Sequence, residues 1–239
     1  MPTSQPAPDD AATIRPLGGR KADQAHDMLK RAILLRQLSP GMQILEQSLA
    51  RDLACSQGTV REALIRLEGD GLVARRGYRG TLVTETSQAE AVEMVRVRLS
   101  VERAVARRIA ESGIADTAPL SHLLAEMDAA HAAGDLYYGS ELDRAFHTTL
   151  ADAAGMGLLA PILHRCALHI HRFTLGGVEV PRDFFQEAGV GTEHRALLDT
   201  LTGSPPEVAA AASADHLARV LSRWAPSLYR AAGAAAFET

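Results

Sequence analysis

Residues 49–67, LARDLACSQGTVREALIRL, decide the fold. They read as two short helices joined by a tight turn. Leu49, Ala50 and Leu53 give the first helix an apolar face. Val60, Ala63, Leu64 and Leu67 recur at i, i+3, i+4 and i+7, the spacing that lines one side of a second helix. Ala54, Cys55 and Ser56 lie between them. The Ser56 hydroxyl can accept from a free backbone N–H of the following turn, as an N-cap does. Two helices joined by so short a turn make a helix-turn-helix. The second helix presents Ser56, Gln57, Gly58, Thr59 and Arg61 near its N-terminal end, with Arg66 beyond. That end is where a recognition helix meets base edges in the major groove. An ordinary helix pair in a bundle has the same periodicity, so this stretch alone admits both readings.

The next residues favour DNA. Residues 72–83, LVARRGYRGTLV, read as two short strands around a basic, glycine-bounded turn. That is a β-hairpin wing with Arg75, Arg76 and Arg79 at its tip, suited to phosphates or the minor groove. The run from 22 to 84 resembles the winged helix-turn-helix domain of the GntR family of bacterial transcription regulators. The residues that carry the likeness are Leu38-Ser39-Pro40-Gly41, Gln47, Leu49-Ala50, Val60-Arg61-Glu62-Ala63-Leu64, Leu67-Glu68, Gly71-Leu72-Val73 and Gly80. The chain departs from the family at Gln57, where a basic residue is usual, and at Gly58.

At 239 residues and 46% hydrophobic, the chain can bury one large or two modest cores. Aromatics are only 4% and alanine is abundant, which favours helices. No apolar run approaches the ~20 residues of a membrane span. The start, MPTSQPAPDDAATIRPLGG, lacks the pattern of a secretory signal and reads as a disordered tail over 1–19. A cytoplasmic protein is expected. Cys55 and Cys166 are too far apart in sequence to suggest a disulfide framework or a cysteine metal site. The net charge of −4 is uneven. Residues 20–85 hold eleven Lys/Arg against eight Asp/Glu, net +3, and residues 86–239 hold thirteen against nineteen, net −6. A mildly basic front on an acidic body fits a DNA reader joined to another module.

An amphipathic helix over 22–37 precedes the motif pair. Ser87-Gln88-Ala89-Glu90 is a capping box that starts a helix through Ser112. The expected division is a winged helix-turn-helix domain over 20–86, an all-α domain over 87–232 and a tail over 233–239. Helices are expected at 88–112, 117–133, 136–154, 157–176, 182–202 and 205–232, with Gly113, Gly134, Gly155, Gly176 and Gly203 between them. Ser204-Pro205-Pro206-Glu207 reads as a second capping box. The fold class is therefore mostly α, with a small β-hairpin wing in front of a helical bundle.

Asp143 and His147 stand one helical turn apart, which alone fits a surface ion pair, a buried hydrogen bond or a metal pair. His194 and His216 lie on later helices that can face them in an antiparallel bundle. A carboxylate and three imidazoles around one point suit Zn²⁺, Ni²⁺, Mn²⁺ or Fe²⁺. Here the bundle resembles the FCD effector-binding domain of the FadR subfamily. The likeness is carried by Arg98 with Glu102, Asp143-Arg144-Ala145-Phe146-His147, Glu193-His194 and His216. It implies that Asp143, His147, His194 and His216 hold one divalent ion per chain. Met156 departs from the Asn usual after Ala-Gly. Arg98 is either a fork for a carboxylate effector or the i, i+4 partner of Glu102. His171 and Arg172 are candidates for the pocket wall, whereas His26, His122 and His131 read as solvent-facing.

Together these readings describe a ligand-responsive repressor of operator DNA, and not an enzyme. A small organic acid would bind at the metal. One recognition helix reads few base pairs, so a homodimer on a palindromic site is expected. Two other readings remain: a metal-dependent hydrolase or lyase fused to a helix-turn-helix, and a DNA-binding protein whose bundle only dimerises.

Overall fold

The computed structural model describes residues 21–77, 80–176 and 189–237. The tail over 1–19, Arg79 at the wing tip and the expected helix start at 182 lie outside them. The front domain runs α1 (Lys21–Leu34), β1 (Gln43–Ile44), α2 (Glu46–Asp52), α3 (Gln57–Gly69), β2 (Val73–Arg75) and β3 (Thr81–Val83). Ser56 caps α3, its hydroxyl accepting from Thr59 N at 3.1 Å. The turn before it passes through Ala54 at φ 47°, a left-handed residue that folds α3 sharply back on α2. Val60, Ala63, Leu64 and Leu67 are fully buried, as the spacing requires.

The wing is a three-stranded antiparallel sheet in the order β1-β3-β2. The sequence reading had two strands. It missed β1, which pairs Gln43 with Leu82 and Ile44 with Thr81, because two residues are too short to show alternation.

The helical domain follows as α4 (Gln88–Ser112), α5 (Ala118–Ala132), α6 (Leu136–Ala153), α7 (Ala160–Thr174), α8 (Val190–Gly203), α9 (Pro206–Trp224) and α10 (Pro226–Ala232). The Ser87–Glu90 capping box opens α4 with both of its reciprocal bonds. The second expected box does not form. Ser204 closes α8 in extended geometry, Pro205 is the N-cap of α9, and Glu207 pairs instead with Arg107. The single helix expected over 205–232 is broken at Ala225. Pro226 pushes the residue before it out of helical geometry, to φ −142° and ψ 58°. Beyond α10, Phe237 is buried against Tyr229, and its carbonyl accepts from Arg103. This segment of the expected tail is therefore docked.

The two domains share apolar packing. The core around Leu64, Leu67 and Leu72 continues into Tyr137 on α6 and Leu168 and Leu175 around α7. Gly71, at φ 78°, lies against α7 so closely that a Cβ would stand 2.8 Å from Arg165 Nη2. Inside the bundle α4 packs on α7 and α9, α6 on α5 and α7, and α8 on α5 and α9. This arrangement turns one face of α4, α6, α8 and α9 toward a common centre.

Candidate functional site

The front of α3 is open. Ser56, Gln57, Gly58, Arg61 and Arg66 are exposed, as are Gln47 on α2 and Arg75 and Arg76 on the wing. Thr59 is half-buried and its hydroxyl bonds that of Ser56 at 2.9 Å. A Cβ at Gly58 would meet only Ser56 Oγ at 3.6 Å, so the fold does not require glycine there. Each arginine on α3 leans on a carboxylate: Arg61 on Glu46 at 2.8 Å and Arg66 on Asp23 at 2.5 Å. Exposed pairs of this kind are weak and readily exchanged for phosphates.

The second site is buried. Asp143 and His147 from α6, His194 from α8 and His216 from α9 each turn one ligand atom to a common point, all within 4.8 Å of one another. Their exposures are 9, 4, 1 and 1%. The hydrogen bonds fix which nitrogen is free. Val190 O can only accept, so His194 Nδ1 donates to it at 2.8 Å and Nε2 faces Asp143 Oδ1 at 3.1 Å. A lone pair and a carboxylate oxygen at that distance need a proton or a cation between them. His147 Nδ1 faces Glu102 Oε1 at 3.0 Å, and its Nε2 has no hydrogen bond. Among the described residues, neither nitrogen of His216 has one. Buried polar atoms are rarely left so. Lone pairs that converge unpartnered are what a divalent ion requires, so the residues fit a metal.

The surroundings tune the same point. Burial drives the His147 imidazole down to about 4, and that of His216 well below its ordinary value, so both rings are neutral and able to ligate. Burial alone would raise the Asp143 carboxyl. Arg98, with His171 and His194, instead holds it well below the usual range. Arg98 Nε donates to Glu102 Oε1 at 2.7 Å, and its Nη2 lies 3.5 Å from Asp143 Oδ2. Arg98, Glu102 and Asp143 sum to one negative charge, which a divalent ion would reverse.

A pocket of about 830 Å³, its mouth included, reaches this cluster at Asp143 and His194. His131, His171, Glu193, Arg223 and Trp224 also line it. The two arginines expected there are elsewhere. Arg98 lies behind the cluster, its guanidinium held between Glu102 and Asp143. Arg172 faces the domain junction, where it bonds Thr84 O, Thr84 Oγ1 and Thr86 Oγ1. Among the described residues Arg223 is the arginine in the pocket wall, and sequence reasoning missed it. Seven residues after His216, it shares that residue's helix face, a signal that was available. Two histidine readings also change: His26 is buried between Asp27 and Asp70, and His131 is half-buried at the pocket.

Two family profiles match the chain: "Bacterial regulatory proteins, gntR family" over residues 21–83, and "FCD domain" over residues 93–219. An Agrobacterium vitis protein described as an HTH-type transcriptional regulator in the TAR-I ttuE-ttuC' intergenic region is 31% identical, over 64% of this chain and 91% of its own length. A Paenarthrobacter nicotinovorans protein, "Probable D-xylose utilization operon transcriptional repressor", is 26% identical over 91% of this chain and 95% of its own. The fold is that of the E. coli McbR/YncC structure, with a TM-score of 0.66 at 21% identity over 89% of this chain and 99% of that one. The exposed recognition helix, the three-stranded wing and the helical bundle behind them thus have matches along most of the sequence, and the chain belongs to the gntR family of bacterial transcriptional regulators, with an FCD domain as its C-terminal part.

Proposed function

We propose that this regulator is a FadR-type repressor. It binds a palindromic operator as a cytoplasmic homodimer and releases it when a small organic acid joins a divalent metal in the FCD domain. Asp143, His147, His194 and His216 hold the ion, which would be Zn²⁺, Ni²⁺, Mn²⁺ or Fe²⁺. When bound, the ion supplies a Lewis-acid seat for a carboxylate or hydroxyl oxygen. The observation that carries this reading is the convergence of unpartnered lone pairs from His147 and His216 on Asp143 and His194.

The chain's own groups do the rest. Glu102 orients His147, Val190 O orients His194, and Arg98 keeps Asp143 ionised. Arg223 and Trp224 stand in the pocket wall together with Asp143 and His194. Arg223 takes the role first given to Arg98 and Arg172, meeting the ligand's far acidic group. On the DNA side Gln47, Gln57, Thr59 and Arg61 face the duplex, with Arg66, Arg75, Arg76 and Arg79 for phosphates. The relatives named as regulators favour this reading over an enzyme.

The test is a thermal-shift screen of hydroxy acids, sugar acids and dicarboxylates on metal-loaded protein, followed by operator titration with each hit. Hits should need the metal and weaken operator binding. Acids that bind equally to chelator-treated protein, or that are turned over, would count against it.

A further inference from the structure

A run of polar side chains joins the metal cluster to the recognition helix across the domain junction. A guanidinium can only donate. Arg144 Nη1 donates to His171 Nδ1 at 2.7 Å, so the neutral ring carries its proton on Nε2. That nitrogen lies 3.3 Å from Asp143 Oδ2, an electrostatic contact without hydrogen-bond geometry. A protonated nitrogen has no lone pair for a metal. His171 therefore stands outside the ligand set and reports on the Asp143 carboxylate instead. Arg144 Nη2 bonds Glu141 Oε1, and Glu141 Oε2 accepts from Lys30 Nζ on α1 at 2.8 Å. Lys30 Nζ is also 3.6 Å from Asp27 Oδ1. His26 then bridges Asp27 at 2.9 Å and Asp70 at 3.4 Å. Asp70 closes α3, the recognition helix.

His171, Arg144, Lys30 and His26 are all at least nine-tenths buried. In such a place each member of a network depends on its neighbour, because a buried charge that loses its partner is strongly unfavourable. Glu141 is the hinge of the run. Its one carboxylate serves two cations, Arg144 in the bundle and Lys30 in the front domain.

We infer that Arg144 and Glu141 are positioning residues through which occupancy of the metal cluster sets how firmly α1, and with it α3, docks on the bundle. The inference rests on the metal reading above. A divalent ion would turn the charge around Asp143 from negative to positive, which would weaken the electrostatic attraction between that carboxylate and the His171 ring. The Arg144 guanidinium then feels a less negative neighbour on one side, and its share of Glu141 against Lys30 changes. The effect is therefore local to the Lys30–Glu141 contact. It differs from a signal carried down α4, which joins the domains through Thr84–Ser87, where Arg172 and His169 bond the chain.

The experiment is hydrogen exchange on the full chain, with zinc as the probe. In the wild type, saturating zinc should change exchange in α1 by roughly fivefold or more, the lower end of an allosteric coupling. It should also slow exchange in α8, which carries His194. Glu141→Gln and Lys30→Gln should each still bind one zinc and still show the α8 response, while the α1 response is lost. Should Glu141→Gln fail to fold, Lys30→Gln decides, because it leaves the Arg144–Glu141 pair intact. An α1 response that survives in the folded variants, or a wild type in which α8 responds and α1 does not, overturns the inference. If zinc alters neither helix in the wild type, the metal reading itself falls and takes this one with it.

Discussion

His147 Nδ1 lies 3.0 Å from Glu102 Oε1, and this contact between α6 and α4 leaves the other ring nitrogen aimed at the cluster. Carboxylates behind a ligating imidazole fix its tautomer and raise its basicity. Glu102→Gln should therefore weaken metal binding by about 10–100-fold without removing a ligand. His216→Ala removes a ring with no hydrogen bond to lose, and should abolish stoichiometric binding. Competition against a chromophoric chelator measures both. Unchanged affinity in the two variants would show that the cluster is not the metal site.

Arg98 gives a prediction that separates two roles. It is 2% exposed and holds two carboxylates, Glu102 and Asp143. Removing one partner from a buried ion pair costs about 3–5 kcal/mol, because the remaining charge is left uncompensated. Arg98→Ala should lower stability by that order in urea unfolding of metal-free protein, and should also impair metal binding. A fork that served only an effector would leave both properties intact.

Acid should destabilise the metal-free protein over a defined window. The folded His147 imidazole titrates at about 4, against 6.5 as its ordinary value, because burial disfavours its charged form. Between those values the unfolded chain binds a proton that the folded chain does not, so stability rises with pH. The contribution is fully present above pH 6.5 and is lost as pH falls toward 4, by about 3 kcal/mol at most. Glu141, held down to about 2 by Arg144 and Lys30 against its burial, extends the loss below 4.5. Chemical unfolding of chelator-treated protein at stepped pH tests this. A stability flat from pH 7 to 4 would contradict it, and His147→Gln should make the upper part of the curve shallower, the remaining slope coming from His216, which burial also lowers.

The sequence made the recognition pair legible because α3 has one buried side, Val60, Ala63, Leu64 and Leu67, in clean helical register. It made the buried cluster legible because Asp143 and His147 share a helical turn, and His194 and His216 lie on later helices that can face them in a bundle. The break at Ala225 was also written in the chain, as a proline one residue on, but an alanine-rich helical pattern ran across it. The Arg98–Glu102 pair is one of the two readings that its i, i+4 spacing allows, and packing within α4 selects it. The role of Arg172 was not legible: its partner Thr84 lies 88 residues away in sequence, where periodicity says nothing about which neighbour claims a buried arginine.

The DNA face predicts a particular asymmetry. Arg61 is exposed and only loosely tied to Glu46, so Arg61→Ala should leave thermal stability almost unchanged while weakening operator binding by roughly tenfold or more. Gln57 faces outward with Gly58 beside it, and a Gln side chain pairs bidentately with adenine N6 and N7. Selection of binding sites should thus return adenine under position 57 in each half-site. Invariant guanine there would refute that contact, and affinity independent of salt would refute phosphate binding altogether.

His216, Val220 and Arg223 follow one face of α9, and Val220 and Arg223 both line the pocket. Seven residues rise about 10 Å along a helix, and an arginine side chain covers roughly half of that. An acid with one group at the cluster must therefore be several carbons long to reach Arg223 with another. Arg223 also lies over the Trp224 ring, its Cζ 5.1 Å from the centroid, which limits where the guanidinium can point. Among straight-chain dicarboxylates, thermal stabilisation of metal-loaded protein should peak at about four to six carbons and be weak for shorter acids. Arg223→Gln should remove that length preference while keeping metal content and operator affinity. Arg172→Gln should leave the length preference alone, since its guanidinium is bonded at Thr84 and Thr86, away from the pocket. A length preference that persists in Arg223→Gln would place the second acid contact elsewhere in the wall.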